Sequence, residues 1–262
     1  MKPAILEMSD AEYFASYSEF MTATQLKTFK RSPQLFDLER RGVIVKPETQ
    51  TLRDGSAFHC GILEGREAFL ERYTVSDGPV NLRTGKPFGA QSKAFQAWIE
   101  SQDNPSEVIS SETAEAVFEA RERVYEHPFA KLVFREGRPE VAVRAELGKV
   151  ACQGKVDWLG ENHIADLKTC ESIERFERHF FHYGYDLQAA FYTELVRANG
   201  LPVSKFYFVA IEKTPPFVVA VYLVSVATIE QARLEVYSLL EEYQECQKKD
   251  VWPTRTENLR SI

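Results

Sequence analysis

The stretch Gly154-Lys-Val-Asp-Trp-Leu-Gly-Glu-Asn-His-Ile-Ala-Asp-Leu-Lys-Thr169 decides how the chain is read. Two apolar runs, Val150 to Leu159 and Ile164 to Leu167, flank Gly160-Glu-Asn-His163, which has the composition of a tight β-hairpin turn. With Glu161 and Asn162 as the central pair of that turn, Asp157 faces Asp166 across the strands. Side chains alternate along a strand, so this register puts Lys155, Asp157, Asp166 and Lys168 on one face and Val156, Trp158, Ala165 and Leu167 on the other. A slip of one residue would bury the charges and expose the apolar set, so the pattern itself argues for the pairing.

Directly opposed Cβ atoms lie roughly 4.5 to 5.5 Å apart, and like charges there repel. A hard divalent cation removes the conflict, and Mg²⁺ is commonly held by one or two carboxylates plus a substrate phosphate. Lys168, on the same face as Asp166, can hold or polarise an attacking water and offset charge that builds in a phosphoryl transition state. Read from these residues alone, the same face could equally be a solvated hairpin whose Asp and Lys pair across strands at less than about 1 kcal/mol each.

Asp157 followed by Asp166-Leu-Lys168 resembles the Asp…(Asp/Glu)-x-Lys signature of the PD-(D/E)XK nuclease superfamily. Three flanking stretches are similar to motifs of its RecB-type branch: His59 within Gly55-Ser-Ala-Phe-His-Cys-Gly-Ile-Leu-Glu64, Asp166-Leu-Lys-Thr169, and Gln188-Ala-Ala-Phe-Tyr192. Within that branch the likeness is closest to the RecE-type exonuclease domain (exodeoxyribonuclease VIII) and its phage relatives, with support from Thr24-Gln-Leu-Lys27, Ser32-Pro33 and Asn81-Leu-Arg-Thr-Gly-Lys-Pro-Phe88. The resemblance runs from about Ser18 to Trp252 and implies an α/β fold with an αβββαβ core, a mixed central sheet, flanking helices and an N-terminal helical extension. It further implies that Asp157, Asp166, the Leu167 carbonyl and His59 bind Mg²⁺ or Mn²⁺, with Glu140 a weaker candidate, and that Lys168 assists the attacking water. Gln188 and Tyr192, four apart and so on one helix face, would orient Lys168 or contact a phosphate. The implied activity is 5′-to-3′ exonucleolytic digestion of linear double-stranded DNA in recombination, leaving 5′-phosphate products. Double-stranded DNA ends, a single-strand annealing protein and a homo-oligomeric ring, trimer or tetramer, are the implied partners.

Composition bounds the rest. With 262 residues, 44% hydrophobic and 12% aromatic, the chain can bury a full core. A formal charge of -7 argues against coating nucleic acid by bulk electrostatics, though a catalytic site needs only a local basic groove. Cys60, Cys152, Cys170 and Cys246 stand alone without C-x-x-C spacing, so they read as reduced thiols, and the cysteine set of iron-sulfur relatives is missing. No signal peptide, long apolar run or lipidation motif is visible, so a cytoplasmic protein without membrane contact is expected.

The segmentation places an N-terminal helical part at 1–110, carrying His59, on a nuclease core at 111–262. Asp10 reads as a cap, Thr22 or Thr24 as the start of a helix to Leu38 interrupted at Ser32-Pro33, and Gly55 to Tyr73 as one helix with Phe58, Ile62, Leu63, Phe69 and Leu70 inward. Lys27, Arg31, Arg83, Lys86 and Lys155 are candidate DNA-backbone contacts, with an ordinary solvated face as the other reading. Three other assignments compete: a non-catalytic DNA-binding or interaction module that keeps the fold, a CRISPR-associated-type RecB-like nuclease lacking the cluster, and a zinc site from His179, His182 and Cys170 that lacks obvious further ligands.

Overall fold

The computed structural model describes residues 2–6, 8–47 and 49–255, so the last seven residues of the 111–262 segment lie outside the described residues. Six strands form the central sheet in chain order: β1 (Ala4–Leu6), β2 (Gly137–Leu147), β3 (Val150–Gly160), β4 (His163–Cys170), β5 (Lys205–Glu212) and β6 (Val219–Leu223). Every neighbouring pair is antiparallel except β4 with β5, which are parallel. A parallel pair needs a crossover, and α9 (Ile173–His179) with α10 (Tyr185–Ala198) supplies it. Together with the helix before β2 this is the expected αβββαβ order in a mixed sheet with flanking helices.

The remaining helices are α1 (Asp10–Ala15), α2 (Ala23–Arg31), α3 (Pro33–Arg40), α4 (Gln50–His59), α5 (Arg66–Arg72), α6 (Lys93–Glu100), α7 (Ser111–Glu126), α8 (Ala130–Val133) and α11 (Val226–Lys249). They cover the two sheet faces separately. On one face Leu26 and Phe29 of α2, Leu187, Phe191 and Leu195 of α10, and Val236 and Leu240 of α11 pack on Val143, Val156, Phe206 and Phe208. On the other, Phe58, Ile62, Phe69, Val117 and Val124 pack on Trp158, Leu167, Val209 and Ile211. Each such side chain, fully buried, contributes roughly 1.5–3 kcal/mol, so the two clusters anchor the N-terminal helices to the sheet.

Local chemistry explains most boundaries. Thr22 caps α2 through a capping box with Gln25, and Ser32 caps α3 with Pro33 at its first position, so the interruption at Ser32-Pro33 yields two helices. Three readings need correction. Asp10 is the first residue of α1, whose cap is Ser9. The helix read as Gly55 to Tyr73 starts earlier, widens through a π turn at Cys60–Glu64, and breaks at Gly65, whose φ of 102° suits only glycine. Leu70 is then turned outward and 51% exposed. Between Ser172 and Gly200 the chain forms two helices, α9, capped by Ser172, and α10, separated at Gly184 in the left-handed region. Strand β1 was not read at all, because its three residues are defined only by pairing with β2.

Candidate active site

The hairpin register holds at its tip. Trp158 pairs with Ala165 and Leu159 with Ile164, which continues to Asp157 opposite Asp166. At that point the ladder opens, and the backbone N–H of Leu167 donates to Asp157 Oδ2 at 2.8 Å instead of to a main-chain carbonyl. On the other side of β3 the neighbouring residue of β2 is Glu140, whose φ of 54° is left-handed and uncommon outside glycine. The alternation slips here. Val156 joins the cluster under α10 while Trp158, Ala165 and Leu167 join the opposite one, so the expected common face of Val156 and Trp158 does not exist. The slip falls where the β3–β4 ladder ends and Glu140, facing Asp157 from β2, takes a left-handed backbone.

His59 ends α4 and reaches this opening. Its Nδ1 lies 3.4 Å from Asp157 Oδ2, and the Leu167 backbone is close enough to bear on its protonation. Ligand atoms of His59, Glu140 and Asp157 all lie within 4.8 Å of one another, the one such group of three or more among the described residues. Burial lowers the His59 pKa, which favours the neutral imidazole that ligates metals. Burial, then the neighbouring Asp166 and Glu140 charges, push the Asp157 carboxyl well above its usual range, against the pull of Lys168. An imidazole, two carboxylates and a carbonyl, with surplus negative charge between them, form a donor set that fits a hard divalent cation.

Asp166 is 1% exposed and belongs to a second group. Gln188 Nε2 donates to its Oδ2 at 2.5 Å, and the Lys168 ammonium pairs with its Oδ1. Burial pulls the Lys168 pKa down, but Asp166 and Asp157 outweigh that and hold it above the ordinary lysine value. Tyr192, one turn beyond Gln188 on α10, has its ring against Gly154, where a Cβ would come within 2.7 Å. That close approach requires the glycine. Burial also raises the Tyr192 phenol pKa well above 10, so it stays a neutral donor. Asp157, His59, Glu140 and Tyr192 line one cleft of about 690 Å³, together with Asp10 and Tyr13.

The proposed DNA contacts divide. Lys155 is not free: it pairs with Asp10 and, at 2.7 Å, with Glu140. Lys27 is turned inward and donates to Gln188 Oε1 at 2.7 Å, which corrects its reading as a surface group. Arg31, Arg83 and Lys86 are exposed and are not among the cleft's lining residues. Sequence reasoning missed Asp10 and Arg72, which pair with each other at the cleft and bring α1 and α5 together. No local pattern could have found a contact between residues so far apart in the chain. His179 ends α9 and His182 lies in the turn after it, ring centroids 6.0 Å apart, and His179 Nδ1 is engaged with the Arg175 carbonyl. They belong to no group of three metal-ligating side chains among the described residues, so the zinc assignment is dropped.

Comparisons agree with this architecture. No curated protein matches the sequence. Among solved structures, a crystal structure titled "Putative exonuclease" from Eubacterium rectale superposes with a TM-score of 0.67 at 16% identity, over 98% of this chain and 95% of that one. At that identity the likeness speaks for the fold. Residues 22–262 match the family described as a PDDEXK-like domain of unknown function (DUF3799), and the chain belongs to that family.

Proposed function

We propose that the protein is a metal-dependent deoxyribonuclease that hydrolyses phosphodiesters of linear double-stranded DNA from the ends, 5′ to 3′, to 5′-phosphate products. The observation that carries a nuclease reading is the opening of the hairpin: ligand atoms of His59, Glu140 and Asp157 gather within 4.8 Å, and Lys168 is held beside them by Asp166. A PDDEXK-like family and a neighbour titled as an exonuclease support the same class. The finer points, end dependence, polarity and a role in recombination with an annealing partner and a ring assembly, rest on the motif resemblance.

His59, Glu140, Asp157 and the Leu167 carbonyl would hold Mg²⁺ or Mn²⁺, while Asp166, expected as a further ligand, is engaged with Gln188 and Lys168 beside them. When bound, such an ion supplies Lewis acidity at a phosphate oxygen and an acidified water. The chain's own part is orientation and charge. Lys168, kept protonated by two carboxylates, places a positive charge where negative charge grows on the phosphoryl oxygens. Asp157 Oδ2 is fixed by the Leu167 N–H, and burial beside Asp166 and Glu140 makes its ionised form costly until a cation joins it. Tyr192 presents a neutral donor at the cleft wall.

The test is a time course on end-labelled linear DNA and covalently closed circular DNA, each with Mg²⁺ and with chelator. Digestion of the linear form alone, abolished by chelator, is the expected result. Cutting of closed circles removes the end-dependent part of the reading; absence of any cleavage with Mg²⁺ or Mn²⁺ removes the enzyme and leaves the non-catalytic module.

A further inference from the structure

Lys27 reaches the site from α2, far from the hairpin in sequence. Its stem passes over Gly184, where a Cβ would stand 3.4 Å from Lys27 Cγ, and its ammonium lies 5.2 Å from the centre of the Tyr185 ring. From there it donates to Gln188 Oε1 at 2.7 Å, while Gln188 Nε2 donates to Asp166 Oδ2 at 2.5 Å. A carboxamide has an acceptor end and a donor end, an ammonium only donates, and an ionised carboxylate only accepts. Between these two neighbours the Gln188 amide has one allowed orientation. A flip would set N–H against ammonium and oxygen against carboxylate, losing both charge-assisted bonds.

We propose that Lys27 is a positioning residue: by holding the Gln188 carboxamide in one orientation it fixes the Asp166 carboxylate that pairs with Lys168. The groups facing it are Lys168 and Asp166 from β4 and Gln188, Tyr185 and Asp186 from α10. Burial first, and the Lys168 charge second, pull its pKa to about 7 against the two acids, so the ammonium is costly to keep at this place. A surface phosphate contact would carry no such cost. This assignment rests on the nuclease reading for its kinetic consequences, but the geometry of the amide can be tested apart from cleavage.

Lys27→Met keeps the stem and removes the donor. Linear-duplex hydrolysis should fall roughly 10- to 100-fold in kcat, the usual effect of losing a partner of a catalytic carboxylate, with KM for DNA unchanged. In a Gln188→Ala background the same substitution should cost nothing further, because both changes remove one interaction. Lys27→Arg, which can still donate, should recover most of the loss. A raised KM at unchanged kcat would make Lys27 a DNA contact, and additive losses in the double variant would make it act independently of Gln188; either result overturns the proposal. A second readout needs no catalysis. In protein carrying isotope-labelled glutamine, with the Gln188 side-chain signal identified by its absence in Gln188→Ala, Lys27→Met should shift that signal and speed its proton exchange. An unchanged signal overturns the proposal whether or not DNA is cleaved, and a shifted signal in a protein that cleaves nothing supports it while the nuclease reading fails. Should Lys27→Met not fold, Lys27→Gln, whose single amide donor is weaker, gives the same comparison.

Discussion

The two ends of one hairpin are built on different rules. At the tip, Trp158 and Leu159 pair in regular register with Ala165 and Ile164, and their side chains fill the two cores. One turn of pleat away, Asp157 takes the Leu167 N–H on its own carboxylate, Glu140 adopts a left-handed φ, and Asp166 is buried against Lys168 and Gln188. The tip is stable because its apolar area leaves water. The base is stable only as a balance of charges, and for Asp157 that balance is incomplete. Apolar packing and unbalanced charge are therefore separated along a few residues of the same strands, with the left-handed Glu140 at the charged end.

Substitutions at the base should break that contrast first. Lys168→Ala should abolish cleavage, by about 10²- to 10³-fold or more, since it removes the charge nearest the reacting phosphate. Metal binding, followed by titration calorimetry, should persist, and retained turnover would show that the lysine has another role.

Asp157→Asn should abolish activity and yet raise the melting temperature of the metal-free protein at neutral pH. The sign follows from the raised pKa. A carboxyl whose folded-state pKa lies above its unfolded value favours the fold below the unfolded value near 3.8 and weakens it as pH rises toward the folded pKa. Asparagine removes that penalty and can still accept from the Leu167 N–H. Each kcal/mol gained should show as roughly 2–4 °C in a chain of this size. Mg²⁺ or Mn²⁺ should stabilise the wild type and not the variant. A variant that melts lower than wild type without metal would contradict the charge argument.

The smallest effect belongs to the tip. The Trp158 indole N–H is buried without a hydrogen-bond partner among the described residues, and its ring meets Phe134 edge-on at 5.5 Å. Trp158→Phe gives up some packing, about 1–2 kcal/mol, but relieves an unpaired donor that costs about 1–3 kcal/mol. Denaturant midpoints should shift little, and the metal concentration for half-maximal cleavage should not change. A shift in metal requirement would join tip and base into one unit.

How far the sequence carried depended on whether a feature is local. The hairpin register follows from alternation and turn composition, and the motif spacing led to His59, Asp157, Lys168 and the Gln188 to Tyr192 helix face before any coordinates. The face switch after Val156 was not legible, because it stems from the opened ladder and the Glu140 backbone, which alternation cannot register. Glu140 itself was read as a weak candidate, since a strand-edge acid also explains a salt bridge; it has both, lying within reach of His59 and Asp157 and pairing with Lys155. Lys27 read as a candidate DNA contact or a solvated basic residue because its burial is produced by Tyr185 and Gly184, which meet it only after folding. The same holds for β1 and for Asp10 with Arg72.

On the proposed reading the parted strands hold a divalent cation among His59, Glu140 and Asp157. Crystals soaked in Mn²⁺ and measured at its absorption edge test it directly. The account predicts an anomalous peak in direct contact with Asp157 and with at least one of the other two side chains, lost in Asp157→Asn. A protein that cleaves DNA with Mn²⁺ yet shows its peak elsewhere would contradict it.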